Sequence, residues 1–422
     1  MSYQVQAKQG FELNRCYQED LLIHDWYRFI LSYPPHLVKN YLSQFGIHQQ
    51  HCVLDPFCGT GTTLVECKKH GIASIGIEAN SVVHLMAKTK VNWDVNKDAL
   101  IKHAGIIAKK AQEKIIKCGF QFKTLNEEQA RLIITDSINP IPLHKALILL
   151  ETIEDCYNIQ FNHYEKIAFA KQLVYAFSNL KFSPEVGVSR NRKVDVDVIN
   201  IWLAQVREIA EAVVLFNDRK NVSSQVYLAD SRKIGMLLDP NSIDAVITSP
   251  PYPNEKDYSR TTRLEAVLLG FINNKAELRE LKKSFLRSNT RNVYAGDDDE
   301  KWIACHGRVL ELAESIENKR IELGKDSGFE KLYHKVVKLY FGGMARHLEE
   351  LKPALRLGAK LAYVVGDQAS YFKIPIRTAE ILREIAHHAG YEVIRIDLFR
   401  TRFSTATKEQ LREEVLILKW NG

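Results

Sequence analysis

Several features that would assign a chain to a specialised class are missing from this sequence. The 422 residues include seven cysteines, but no two of them form a Cys-x-x-Cys pair. Neither a disulfide framework nor a zinc ribbon is therefore supported, and we expect no structural metal. No apolar run approaches the ~20 residues of a membrane span, and the amino-terminal residues lack the basic and then apolar layout of a secretory signal. We expect a soluble, cytoplasmic protein.

Positive charge is only slightly in excess over negative charge. The formal net charge of +7 favours a polyanionic partner, yet so small a surplus over 422 residues is equally consistent with a solvated surface. Local clusters are more specific: Arg190, Arg192 and Lys193 form one, and basic residues between 282 and 291 form another. Nucleic acid is the partner that these clusters favour, although such clusters are as often merely solvated.

The chain begins its regular pattern with a β-α-β unit. Residues 51–55 predict a buried strand, Thr62 is a candidate N-cap for the helix that follows, and Gly71 fits the left-handed position that ends it. Residues 73–78 predict a second buried parallel strand. This layout predicts a glycine-rich loop at the carboxyl end of a parallel sheet.

Later strand patterns alternate with helices and end in a hairpin, which indicates an α/β fold with a mainly parallel, doubly wound sheet and one reversed strand. The later strands are predicted at 225–229, 243–247, 360–365, 392–399 and 414–419. We expect one catalytic domain built from 1–93, 225–271 and 338–422, with a helical insertion at 94–224 and a second insertion at 272–337. Either insertion is a candidate for DNA contact, and the first is also a candidate lid.

The loop from Asp55 to Gly61 reads Asp-Pro-Phe-Cys-Gly-Thr-Gly. Its glycines permit close approach of a ligand to the backbone, but the spacing fits neither a dinucleotide-binding fingerprint nor a P-loop. Glu78 ends the next strand, where a carboxylate can accept hydrogen bonds from both hydroxyls of a ribose. A solvated acid at the end of a strand is the alternative for Glu78.

A second motif, Ser249-Pro250-Pro251-Tyr252, follows the buried strand pattern at 244–248. Adjacent prolines carry no N–H, so the first prolyl carbonyl is held as an acceptor with no donor beside it. Such a carbonyl can bind an exocyclic amine, the serine hydroxyl offers a second polar contact, and the tyrosine ring offers a surface on which a base can stack. The alternatives are an ordinary turn or a proline-rich ligand segment.

Together these motifs resemble the amino-methyltransferase family of DNA enzymes, which methylate cytosine N4 or adenine N6. The resemblance extends to the segment 24–38, which in the family precedes the glycine loop and packs around the methionine part of S-adenosylmethionine. It implies a seven-stranded, Rossmann-like class I methyltransferase sheet with S-adenosylmethionine as cofactor and DNA as substrate. The implied contacts to the cofactor are made by Asp55, Phe57, Gly59, Thr60, Gly61, Glu78 and Asp230.

Within that set, Glu78 is implied to hold the ribose and Asp230 to bind the adenine amine. A cap or turn aspartate is the alternative for Asp230. Tyr258 and Arg260 follow the catalytic motif closely enough to line the same opening and contact DNA, although core packing or a plain surface role is equally consistent with their positions.

The implied reaction needs no covalent intermediate, and the sequence has no Pro-Cys dipeptide of the kind that supplies a nucleophile for cytosine carbon 5. Serine as the first residue of the tetrapeptide favours cytosine N4 over adenine N6 within the family. A restriction endonuclease is a candidate partner. Methylation of RNA bases or of protein glutamine, and a catalytically silent DNA-binding subunit, are the remaining alternatives.

Overall fold

A computed structural model of the protein describes residues 12–27, 32–119, 121–182, 185–404 and 407–422. Residues 28–31 of the segment that resembles the family's methionine-binding region lie outside that description. The strands are β1 Cys52–Asp55, β2 Ala73–Glu78, β3 Leu180–Phe182, β4 Val186–Val188, β5 Ser224–Leu228, β6 Ile243–Thr248, β7 Leu355–Gly366, β8 Glu392–Phe403 and β9 Gln410–Lys419. The α-helices are α1 Leu21–His24, α2 Pro35–Phe45, α3 Thr62–Lys69, α4 Ser81–Lys90, α5 Lys97–Cys118, α6 Glu127–Ala130, α7 Pro140–Asp155, α8 Asn162–Gln172, α9 Val198–Val214, α10 Tyr258–Thr261, α11 Arg263–Leu268, α12 Lys275–Lys283, α13 Gly307–Glu322, α14 Tyr333–Leu351 and α15 Thr378–His388.

Seven strands form one sheet in the order β5-β2-β1-β6-β7-β9-β8. The pairs from β5 to β7 are parallel, whereas β9 runs antiparallel to both of its neighbours. The predicted mainly parallel, doubly wound sheet with one reversed strand is thus confirmed. The chain order reverses beside β1, and in such sheets ligands bind at the carboxyl ends of the strands near that reversal.

Helices cover both faces of the sheet because successive strand residues point to opposite sides. Val53 and Val364 face the cluster that contains α2. Their neighbours Leu54 and Val365 face the opposite cluster, which contains α14 and α15. Within the described residues, no helix has both the length and the apolar character needed to cross a membrane.

The predicted helical insertion shares its core with the catalytic domain. Leu64 and Met86, from α3 and α4, belong to the same buried cluster as Leu100, Ile148 and Trp202 of the insertion. The region also contains the short antiparallel hairpin β3–β4, which the sequence analysis did not predict. Because the two parts share one core, the insertion is packed against α3 and α4.

The predicted N-cap of α3 was wrong by one residue. Thr62 is the first residue of α3, and Gly61 occupies the N-cap position with a φ of +86°. A hydrogen bond of 2.8 Å from the Gly61 amide to the Cys58 carbonyl closes the loop there. Glycine is required because a left-handed conformation is unfavourable for other residues. The predicted end of the helix is confirmed, since Gly71 has a φ of +75°.

The second insertion packs against α14 at a glycine. A Cβ atom at Gly342 would lie 2.0 Å from the carbonyl oxygen of Asp299. We therefore expect Gly342→Ala to lower the free energy of unfolding by about 3 kcal/mol, because backbone of the insertion must move to make room. A denaturant titration measures this change.

Gly105→Ala is the matched control, since Gly105 lies inside α5 and a Cβ there has no atom within 4 Å. Alanine is the better helix former, so this variant is expected to be as stable as the parent or more stable by up to about 1 kcal/mol. Equal stability of the Gly342→Ala protein would mean that the backbone at Asp299 moves aside at no cost.

Candidate active site

A cavity of about 560 Å³ opens at the carboxyl ends of the parallel strands. Its lining includes Phe57 and Gly59 after β1, Glu78 at the end of β2, and the segment 249–252 after β6. The fold thus brings the glycine loop and the Ser-Pro-Pro-Tyr motif to one cavity, although a long helical region separates them in the chain. Its size suits a ligand of a few hundred daltons, since such sites typically span about 300–1,000 Å³.

The glycine loop bends back onto β2. The Cys58 amide donates a hydrogen bond of 3.0 Å to the carbonyl of Ile77. Gly59 has a φ of +52°, another left-handed conformation that favours glycine. Among the described residues that line the cavity, Phe57 and Gly59 are present, whereas Thr60 and Gly61 are not. Their contact with a cofactor stays a prediction.

Asp55 is fully buried at the base of this loop. Its carboxylate accepts hydrogen bonds from the hydroxyls of Tyr33 at 2.8 Å and Thr248 at 2.6 Å, and from the Phe57 amide at 3.2 Å. Burial raises the pKa of Asp55 to about 6, and these hydrogen bonds oppose the rise. Asp55 therefore joins the upstream segment, the glycine loop and β6 to one another. Its predicted contact with the methionine end of the cofactor is untested.

Glu78 lines the cavity with both carboxylate oxygens held by backbone. Oε2 accepts from the Gly59 amide at 3.0 Å, and Oε1 accepts from the Asn80 amide at 2.8 Å. Burial raises the pKa of Glu78 to about 7, while these two hydrogen bonds lower it. Each oxygen has a second lone pair, so an oriented carboxylate remains able to accept two hydroxyl groups from a ligand.

The Ser249-Pro-Pro-Tyr252 segment presents acceptors to the cavity. The Ser249 hydroxyl donates to the carbonyl of Val364 at 3.0 Å, which leaves the lone pairs of Oγ available. Within the described part of the chain, the carbonyl of Pro250 accepts no hydrogen bond. The Tyr252 ring packs on the carboxyl end of β7, where a Cβ at Gly366 would come within 2.9 Å of it.

Asp230 is engaged in an ion pair. It caps the turn Ser231–Met236 by accepting from the Arg232 amide at 2.9 Å, and its carboxylate also binds the Arg232 guanidinium at 2.7 Å. That guanidinium bridges to Asp299 of the second insertion at 2.5 Å. This geometry is that of the turn aspartate considered as the alternative. A contact of Asp230 with adenine stays a prediction.

The basic cluster of the first insertion lies away from the lining of the cavity. Arg192 binds Asp136 through both its carbonyl at 3.0 Å and its carboxylate at 3.1 Å, and the Lys193 ammonium donates to the Tyr175 carbonyl at 2.8 Å. Arg190 is exposed. Two of the three side chains therefore hold their own loop to the helical region, and contact of this cluster with DNA is untested.

The second basic cluster is partly internal. Lys282 is buried and pairs with Asp257 at 2.8 Å, and Arg287 is buried and pairs with Asp297 at 2.7 Å. Arg260, predicted to line the opening, is half-buried and absent from the described lining. No group of three or more candidate metal ligands occurs among the described residues.

Comparisons with known proteins agree with the site. Residues 14–89 match a family model described as DNA methylase. The Type II methyltransferase M.BsoBI of Geobacillus stearothermophilus is 24% identical over 92% of this chain and 82% of its own. The Type II methyltransferase M.AvaI of Nostoc sp. (strain PCC 7120) is 23% identical over 88% of this chain and 79% of its own. Together these matches support a DNA amino-methyltransferase family for this chain.

A shorter match is with the Type II methyltransferase M.MjaII of Methanocaldococcus jannaschii, which is 33% identical over 22% of this chain and 19% of its own. The matches support an enzyme that methylates DNA with S-adenosylmethionine as its methyl donor. The cavity fits that donor because it is large enough and because the carboxylate oxygens of Glu78 can accept hydrogen bonds from hydroxyl groups of a ligand. The resemblance inferred from the sequence is confirmed.

Several residues of this methyltransferase cavity were not predicted as site residues. Ser32 and Tyr33 line the cavity from the upstream segment. Lys256 lines it just after the Ser249–Tyr252 segment, and Arg400 and Arg402 reach it from β8. The upstream pair lies in the segment that resembles the family, so that signal was available. No pattern in the sequence pointed to the two arginines, because only the antiparallel pairing of β8 with β9 brings them to this edge of the sheet.

Tyr258, predicted as a DNA contact, lines the cavity and supports the Ser249–Tyr252 segment. Its hydroxyl accepts a hydrogen bond of 3.2 Å from the amide of Tyr252. We expect Tyr258→Phe to lower kcat of the methyltransferase by about 5- to 10-fold, since one hydrogen bond that orients the motif is lost. Affinity for DNA should stay within twofold. An unchanged kcat with weakened DNA binding would instead assign Tyr258 to the DNA interface.

Proposed function

We propose that the protein transfers the methyl group of S-adenosylmethionine to N4 of a cytosine that is flipped out of DNA. The observation that carries this proposal is the pair of available acceptors, Ser249 Oγ and the Pro250 carbonyl, in the cavity that also holds Glu78. An exocyclic amine has two hydrogens, and two acceptors can bind both. The remaining lone pair is then directed at a methyl group in the same cavity.

Binding of the amine hydrogens has a chemical effect as well as a positional one. The nitrogen lone pair of cytosine or adenine is delocalised into the ring, so it is a weak nucleophile. Acceptors that hold the hydrogens out of the ring plane favour the pyramidal nitrogen that attacks in line, which combines orientation with electrostatic stabilisation. Bound S-adenosylmethionine supplies the electrophilic methyl on a sulfonium. The chain itself need only position the amine.

Each remaining site residue receives a proposed role. Glu78 accepts the ribose hydroxyls of the cofactor, the loop from Asp55 to Gly61 surrounds its methionine part, and Asp230 lies near its adenine. Tyr252 stacks on the flipped base, an extrusion that costs a few kcal/mol and that contacts elsewhere must offset. The helical insertion and the second insertion contact DNA outside the cavity.

The choice of cytosine rests on Ser249, because serine at this position accompanies N4 methylation more often within the family. The relatives that span most of the chain are named Type II methyltransferases. We therefore propose that the protein is the modification enzyme of a restriction-modification pair, with a restriction endonuclease of the same sequence specificity as its partner.

Nucleoside mass spectrometry tests the proposal. DNA from cells that express the protein is expected to contain N4-methylcytosine, and cells that express Ser249→Ala should contain far less. Methylation-sensitive sequencing of the same DNA then gives the target sequence. N6-methyladenine as the product would overturn the choice of base, methylation found only in RNA would overturn the choice of substrate, and no methylation with intact DNA binding would indicate a silent subunit.

A further inference from the structure

The cavity carries a cluster of cations that the transfer of the methyl group does not use. Lys256 lines it together with Arg400 and Arg402 of β8. The arginines are engaged: Arg400 donates to the Glu413 carboxylate at 2.6 Å, and Arg402 donates to the Asp367 carbonyl at 3.0 Å. Three cationic side chains thus lie beside the Ser249–Tyr252 segment, among the carboxylates of Glu185, Glu255 and Glu413.

Lys256 is held by its backbone and not by its side chain. Its amide donates to the side chain of Asn254 at 2.9 Å, and its carbonyl accepts from the side chain of Asn289 at 3.1 Å. Both asparagines are buried. Within the described residues, the Lys256 ammonium forms no ion pair or hydrogen bond, so the fold fixes the residue and leaves its charge without a partner.

An unpaired ammonium in a half-buried position is unfavourable in the free protein. Burial lowers the pKa of Lys256, nearby Arg402 lowers it further, and Glu185 and Glu413 oppose the shift. Such a group is stabilised when a ligand brings negative charge, because the ligand supplies the missing partner.

The carboxylates nearby do not satisfy it. Glu413 is shared between Arg400 at 2.6 Å and Arg402 at 3.5 Å. Glu255 hydrogen-bonds to the amide and hydroxyl of Thr290 at 3.3 Å and 2.7 Å, and burial raises its pKa. Glu185 also lines the cavity and attracts the Lys256 ammonium at longer range. Among the described residues, none of these three carboxylates forms an ion pair with Lys256.

We propose that Lys256, supported by Arg402, binds a backbone phosphate of the flipped nucleotide. This inference rests on the proposed function, because a base that enters the cavity brings its own flanking phosphates to the opening. A phosphodiester supplies the negatively charged partner that the Lys256 ammonium lacks, whereas the base offers only neutral acceptors. The contact would hold the extruded nucleotide while Ser249 and Pro250 orient its amine.

The salt dependence of DNA binding tests the contact. With duplexes that carry the target sequence, Lys256→Gln is expected to weaken binding about 10-fold and to reduce the slope of log K against log salt by about 0.9, the value for one phosphate. Lys256→Arg should restore the slope, which separates charge from folding. Binding of S-adenosylmethionine should be unchanged in both variants.

Lys419→Gln is the matched control for the loss of one positive charge. Lys419 is the last residue of β9, which runs antiparallel to β7, so it lies away from the carboxyl ends of the parallel strands. It pairs with Glu392 at 3.6 Å and does not line the cavity. The Lys419→Gln variant should show the same slope of log K against log salt as the parent protein. An equal loss of slope in both variants would overturn the proposal, because it would reflect net charge rather than a contact.

Methylphosphonate linkages identify the phosphate. A neutral linkage next to the target base should weaken binding by the parent protein and have no further effect on Lys256→Gln. Additive effects would mean that Lys256 contacts the base instead, and would overturn the phosphate contact alone. If the parent protein neither binds nor methylates DNA, the proposed function itself is wrong. If the parent binds and methylates DNA but Lys256→Gln keeps the parent's slope, only the Lys256 contact is wrong.

Discussion

Replacing Glu78 by glutamine is expected to weaken the binding of S-adenosylmethionine by about 100-fold. Hydrogen bonds to a charged group contribute about 1.5–3 kcal/mol each, and the carboxylate is proposed to accept two from the ribose. A glutamine amide nitrogen would also face either the Gly59 or the Asn80 amide, each of which now donates to a carboxylate oxygen. Isothermal titration calorimetry measures the dissociation constant.

The pH dependence of binding gives an independent check on Glu78. Because burial raises the pKa of Glu78 to about 7, its carboxyl group is largely protonated in the free protein below pH 7. Ribose hydroxyls bind the ionised form better, so affinity should rise with pH through 7 and level off above about pH 8. Below pH 7 it should fall by up to about tenfold per pH unit.

Glu78→Gln should bind weakly with little dependence on pH above 7, since the titrating group is removed. The pKa of Asp55 is about 6, so lower pH values would mix two titrations. Glu113→Gln on the exposed side of α5 is the control and should behave as the parent. A parent-like dissociation constant and pH profile in Glu78→Gln would remove Glu78 from the cofactor site.

Replacing Ser249 by alanine is expected to lower kcat by about 100-fold, comparable to the loss of one hydrogen-bonding group that stabilises a transition state. The hydroxyl proton is donated to Val364, so Oγ acts toward the substrate as an acceptor, and alanine removes it. The dissociation constant for S-adenosylmethionine should change less than twofold. Single-turnover methylation kinetics measure the chemical step directly.

Ser242→Ala provides a close control. Its hydroxyl also donates to a backbone carbonyl, that of Asp239 at 2.7 Å, but it lies just before β6 at the opposite edge of the sheet. Activity of that variant should equal the parent's. Full activity of Ser249→Ala would leave Pro250 as the sole acceptor for the amine and would contradict the mechanism proposed above.

The sequence contained enough local information for most of the fold. The alternation of Val53 and Leu54 between two faces, and the turn at Gly71, follow from short-range pattern and backbone sterics. The β3–β4 hairpin was missed because its strands have three residues each. Strands that short leave almost no periodicity to detect.

The same distinction holds for the site. The sequence by itself determined the identity of the two motifs, their order and the chemistry of their side chains, because these depend on residues adjacent in the chain. Only the tertiary structure decided that the Ser249 hydroxyl donates to Val364 and that Asp230 is paired with Arg232. It also decided that the Lys256 ammonium has no hydrogen bond or ion pair with any other described residue. Those facts depend on contacts between distant segments, and the burial and hydrogen bonds that such contacts create set which groups remain available to a ligand.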